Sequence, residues 1–115
     1  AAYIDGRSRF RHNLVHGVTE PYKVSSTSLI NAATVQAKAE GVDSCKTFAS
    51  ANDVMLENPF NLTAPNFLPK AGSPALSGAS FFGLSGFTTT TYIGAFGTTN
   101  WMQGWTSFTP QTNVY

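Results

Sequence analysis

Ser8-Arg9-Phe10-Arg11-His12-Asn13-Leu14-Val15-His16-Gly17-Val18 alternates along its length. Ser8, Phe10, His12, Leu14, His16 and Val18 fall on one side of an extended chain, with Arg7, Arg9, Arg11 and Asn13 on the other, which predicts a half-buried strand. The Phe10, Leu14, Val18 spacing also fits one helix face, and Gly17 and Pro21 stop either element. We read the stretch as a strand and the chain as mainly β.

Outward from this stretch, Pro21 to Ser28 reads as extended or turn-forming. Ser28 can cap a helix from Leu29 to about Glu40, with Leu29, Ile30, Ala33 and Ala37 as its apolar stripe and Gly41 closing it. Ser44 to Ala51 suggests a second short helical turn before the apolar run Val54-Met55-Leu56. From Asn58 onward, prolines at 59, 65, 69 and 74 interrupt any long regular element, because each lacks an amide donor and restricts the residue before it. An extended arm is expected there, burying Phe60, Leu62, Phe67, Leu68 and Leu76 against a partner surface. Thr88 to Phe96, rich in β-branched and aromatic residues, is a strand candidate that Gly94 and Gly97 end.

The 115 residues are 42% hydrophobic, 13% aromatic and 11% charged, enough for one folded body and against wholesale disorder. The net charge of +1 gives no electrostatic case for nucleic acid as a partner. No apolar run approaches the roughly 20 residues of a membrane-spanning helix. Twelve of the 13 charged residues lie in 1–57, and Lys70 is the one charge beyond. The half from 58 onward instead holds 11 of the 15 aromatics, seven of the ten glycines and five of the six prolines. Such a half makes a poor free-standing domain, so it is expected to be covered by the rest of a longer chain or by neighbouring subunits. The chain opens Ala1-Ala2-Tyr3-Ile4-Asp5 without an initiator Met or a signal-like stretch, which suggests a piece of a longer polypeptide.

Pro65-Asn66-Phe67-Leu68-Pro69-Lys70-Ala71-Gly72-Ser73-Pro74-Ala75-Leu76-Ser77-Gly78-Ala79, then Tyr92-Ile93-Gly94-Ala95-Phe96-Gly97 and Trp101-Met102-Gln103-Gly104-Trp105, resemble the C-terminal end of large bacterial exported or cell-surface proteins of the right-handed parallel β-helix type. The resemblance covers about 52–115, and Phe10 to Gly17 looks like one of the last rungs in such proteins. It implies the end of a parallel β-helix (solenoid): terminal rungs in 1–24, a helical insertion or cap in 25–57, and an extended, aromatic capping segment in 58–115. It also implies a non-catalytic structural or assembly role at the surface of, or outside, a Gram-negative bacterium. A cap makes sense of the composition, since a solenoid end exposes unpaired backbone groups that would recruit other chains. The sequence departs from its look-alikes where they tend to carry acids, at Asn100 before Trp101 and at Thr109 before Pro110. Any metal-binding or turn-capping by those acids is therefore expected to be missing.

No constellation points to catalysis, a metal or a cofactor. His12 and His16 flank Asn13 where the zinc protease pattern needs a general-base Glu, and on a strand they would stand about 13 Å apart at roughly 3.3 Å per residue, too far to share an ion. Gly83-Leu84-Ser85-Gly86 is one residue short of a nucleophile elbow. Cys45 has no local signature beside it and reads as a small buried hydrophobe. Arg7, Arg9 and Arg11 read as a solvated face, and Asn61-Leu62-Thr63 matches a glycosylation sequon that is informative only in an exported chain. Tyr92, Trp101, Trp105 and Tyr115 are the candidate contact residues. Their rings either pack on protein surface or, as the alternative, stack on polysaccharide in a carbohydrate-binding module. A further alternative is the non-catalytic end of a polysaccharide-degrading solenoid enzyme, since no carboxylate side chain lies beyond 58.

Overall fold

A computed structural model describes residues 2–112 of the chain. Strand β1 (Leu14–His16) pairs in parallel with β2 (Lys46–Phe48), Leu14 opposite Lys46 and His16 opposite Phe48. The crossover between them carries helix α1 (Ala32–Gly41). After β2 a 3-10 turn (Ala51–Val54) leads into β3 (Leu56–Asn58), which pairs antiparallel with β4 (Asn66–Pro69). A second 3-10 turn (Pro74–Leu76) follows. From there to the short 3-10 turn Pro110–Thr112 the described chain is irregular.

This is not the end of a parallel β-helix. A solenoid stacks successive coils in parallel, whereas these residues form two separate two-stranded sheets, only one of them parallel. The departure has a local cause. Ser50 caps the turn after β2 and Asp53 returns a hydrogen bond to the Ser50 amide, a reciprocal capping box, and Met55 then adopts a left-handed conformation at φ 56°. The chain then reverses in the loop from 59 to 65, where Asn61 Oδ1 accepts from the Thr63 and Ala64 amides, so that β3 pairs antiparallel with β4 instead of continuing a coil.

The strand expected over 8–18 is confined to Leu14–His16 because left-handed residues bracket it, His12 at φ 54° and Gly17 at φ 61°. The His12 amide bonds to the Asp43 carbonyl rather than to a strand partner. Helix α1 starts three residues later than expected. Ser28 spends its hydroxyl on the Ile30 amide, and Asn31 is the true cap, accepting from the Thr34 amide at 2.8 Å and the Thr34 hydroxyl at 2.9 Å. Leu29 therefore lies outside the helix and fully exposed, and Ala39 is the helix residue that is buried. The helical turn expected over 44–51 is instead strand β2 followed by the capped turn. Thr88 to Phe96 forms no strand, having no adjacent strand to satisfy its amides. Two bonds tie the neighbourhood down, Ile93 N–H to the Ala75 carbonyl at 2.7 Å and Ala79 N–H to the Thr91 carbonyl at 3.2 Å.

The interior is slight. Ala39, Cys45, Val54 and Ala75 are the buried apolar residues described, and no large side chain is fully enclosed. The most cross-linked region joins the N-terminal loop to the end of α1. Buried Asp43 accepts a hydrogen bond from the Tyr3 hydroxyl at 2.7 Å and one from Lys38 Nζ at 3.1 Å. The Lys38 ammonium also stands 4.9 Å from the centre of the Tyr3 ring. Cys45 is buried beside this knot, its thiol 3.3 Å from the Phe10 carbonyl. A second tie is Ser73, also buried, whose hydroxyl donates to the Val54 carbonyl at 2.6 Å and accepts from the Ala75 amide at 3.1 Å, joining the two 3-10 turns. No helix among the described residues is long and apolar enough to cross a membrane.

Candidate functional site

The C-terminal rings gather into a file. Phe67, from β4, meets Phe96 with centroids 5.8 Å apart and planes tilted 36°. Phe96 stacks on Trp101 at 5.2 Å and 11°, and Trp101 stacks on Trp105 at 5.8 Å and 27°. The two tryptophans are brought together by a hydrogen-bonded turn. Asn100 Oδ1 accepts from the Met102 amide, the Gln103 amide bonds to the Asn100 carbonyl, and the Thr106 amide and hydroxyl both bond to the Met102 carbonyl. One turn of this kind sets residues four apart on the same side. Gly104, at φ 91°, supplies the left-handed position that an L side chain would resist.

Both indole N–H groups are spent on backbone, Trp101 on the Ala95 carbonyl at 2.9 Å and Trp105 on the Trp101 carbonyl. The polar edges of the rings are thus satisfied while their faces stay partly open. Trp101 is 47% exposed and Trp105 69%. Tyr92 is half-buried and lies with Trp101, Thr98 and Thr99 around a small cleft of about 270 Å³. Its ring packs so closely on the buried Gly97 that a Cβ built there would come 2.5 Å from it, so this position admits only glycine unless the ring moves. Tyr115 lies outside the described residues.

Two larger clefts flank the file. One, of about 410 Å³, runs between the two sheets and is lined chiefly by Leu14, Val54, Leu56, Phe67, Ile93 and Phe96. The other, of about 560 Å³, lies between the start of β4 and the loop from 100 to 109. Beyond the file, Phe60, Leu62, Phe82 and Phe87 each stand more than 60% exposed. Of the residues expected to be buried along the arm, Phe67, Leu68 and Leu76 are half-buried in the chain itself, while Phe60 and Leu62 face outward.

The polar residues weighed as chemical candidates do not converge. His12 sits in its left-handed bend while His16 is exposed on β1, and Ser85 lies in an exposed turn between Gly83 and Gly86, both with positive φ. The Cys45 thiol has carbonyls and the Asn13 amide as its described hydrogen-bond neighbours, with no base among them. The turn-capping expected to be lost with the missing acid before Trp101 is present after all, because the Asn100 carbonyl oxygen does what a carboxylate oxygen would do. Phe67 and Phe96, the inner half of the file, escaped the sequence reading because nothing in local spacing links residues 67 and 96. The cap was visible in principle, since Asn directly before a turn is a common cap residue.

Comparison with family models, with curated proteins and with solved structures gives no match to this chain.

Proposed function

We propose that this chain is a non-catalytic structural or assembly component whose segment from 58 onward packs on other protein surface, either the remainder of a longer polypeptide or neighbouring subunits of an exported, cell-surface assembly. One observation carries the reading: the chain leaves far more surface open than a self-sufficient fold of its size. Its accessible surface is 8174 Å², against about 6,100 Å² for a compact protein of 12.3 kDa. Its radius of gyration is 17.3 Å, against about 13 Å. Much of the large apolar side-chain surface left open belongs to Phe60, Leu62, Phe82, Phe87, Trp101 and Trp105. With Lys70 as the only charged residue from 58 onward, hydration gains little there, and so much exposed apolar side chain on a charge-poor segment favours a contact face. The exported bacterial setting rests on the sequence resemblance alone.

The test is association. Docking predicts that the isolated chain self-associates or binds a hydrophobic dye, and that replacing Leu62, Phe82 and Trp105 together by serine lowers both without loosening the Asp43 knot. A dilute, dye-silent monomer that unfolds in one cooperative step refutes it.

A further inference from the structure

The cleft of about 560 Å³ between the start of β4 and the loop from 100 to 109 has a wall rich in uncharged polar residues. Three residues with side-chain amides line it, Asn66, Asn100 and Gln103, together with Thr63, Thr106 and Phe108. Among the described residues no charged side chain contributes to it. Asn66 Oδ1 accepts from the Leu68 amide and Asn100 Oδ1 from the Met102 amide, which fixes both side chains and leaves their NH2 groups unspent among the described residues. The Gln103 side-chain amide makes no described hydrogen bond, so its donor and acceptor are both free among the described residues.

We propose that this cleft is a binding site for a neutral saccharide. The chemistry follows from the wall. A planar amide offers a donor and an acceptor side by side, which matches the paired hydroxyls of a sugar. An anionic or cationic ligand would enter without a counter-charge, at a cost in desolvation that nothing in the cleft offsets. Phe108, 41% exposed, supplies an apolar face for the C–H side of a sugar ring. At about 560 Å³ the space is of ligand size and holds one or two sugar rings. The site is separate from the Tyr92 and Trp101 cleft, and it requires that the protein surface covering the segment from 58 onward leaves this cleft open.

Titration calorimetry on the complete chain tests it, using cellohexaose, maltohexaose and laminarihexaose as neutral probes, hexagalacturonate as the acidic one, and an uncharged Gly/Ser/Asn hexapeptide. One of the neutral hexasaccharides is expected to bind. Gln103→Ala should weaken that binding about tenfold, the worth of a pair of hydrogen bonds. Because the Gln103 side chain holds no internal bond, this variant keeps its fold. Phe87→Ala, at a ring that packs on Phe81 and lines no described cleft, should leave the affinity unchanged. The proposal is overturned if no neutral hexasaccharide binds at millimolar concentration, if the acid or the peptide binds more tightly, or if Gln103→Ala leaves the binding unchanged.

Discussion

Asp43→Ala removes the one acceptor shared by Tyr3 and Lys38, and the cost can be worked from the geometry. The ion pair is 3.1 Å long with side-chain exposures of 18% for Lys38 and 7% for Asp43, and the Tyr3 hydroxyl adds a 2.7 Å bond. Breaking a fully buried pair costs about 3–5 kcal/mol; here Lys38 can reach water once released, which brings the loss to about 2–3 kcal/mol. Local opening should therefore become about 30- to 150-fold more frequent. The reporters are backbone amides held around the knot, His12 N–H on the Asp43 carbonyl and Cys45 N–H on the Ala39 carbonyl. Their hydrogen exchange should accelerate by that factor, while Lys70 N–H, on the Met55 carbonyl, should not change. The effect depends on pH. Burial of Asp43 opposes its ionisation, but hydrogen bonds from Tyr3 and Lys38, with the charges of Lys38 and Arg11, outweigh burial and hold its pKa below the ordinary carboxylate value. Its contribution is thus complete above about pH 4 and lost as pH falls through the depressed pKa. Burial, and then the bond to Asp43 and its charge, raise the Tyr3 phenol above its ordinary value near 10, so its share is complete below that value and fades in stronger alkali. The gap between wild type and Asp43→Ala should stay constant from about pH 5 to 9 and close in acid. Unchanged exchange at His12 and Cys45 would refute the knot as the anchor of the N-terminal loop.

Gly97→Ala should push the Tyr92 ring off its seat at about 1–3 kcal/mol, the usual cost of overpacking, visible as altered Tyr92 ring resonances; unaltered resonances would contradict the close approach. Asn100→Ala should cost about 1 kcal/mol as a lost cap and speed exchange at the Met102 amide several-fold, with Asn100→Asp restoring it. Ser73→Ala leaves the buried Val54 carbonyl without its donor, so a loss of about 2 kcal/mol is expected in denaturant unfolding. Trp105→Ala should change near-ultraviolet dichroism through loss of its stacking on Trp101, yet leave exchange at Cys45 as it was.

Local features of the fold were legible in the sequence, whereas pairings across the chain were not. Alternation in Ser8–Val18 did mark strand β1, but its length depended on His12 adopting a left-handed bend, which a hydrogen bond to Asp43 stabilises from 31 residues away. A helix ending near Gly41 was readable, but its stripe was not, since Ala33 and Ala37 are exposed and Ala39 is the residue that is buried. Its start was not, because Ser28 and Asn31 are both good caps and only the structure shows which hydroxyl or amide is committed elsewhere. The prolines correctly marked a region without long elements, yet they hid β4, which Pro69 ends. The solenoid expectation failed after β2, where the capped turn 51–54 and a left-handed Met55 lead into a strand that pairs antiparallel with β4 rather than into a further parallel coil. Trp101 and Trp105 were singled out as contact rings, but their stacking on each other is seen only in the structure. That Phe96 and Phe67 extend the file, and that Gly97 seats Tyr92, are tertiary facts with no local signal.

The docking of the aromatic half is tested most directly by hydroxyl-radical footprinting of the native polypeptide beside the isolated chain, reading Phe82, Trp101 and Trp105. If protein covers these rings, they are modified several-fold more slowly in the native material. Equal modification at all three, in native material that runs as a monomer, would contradict it.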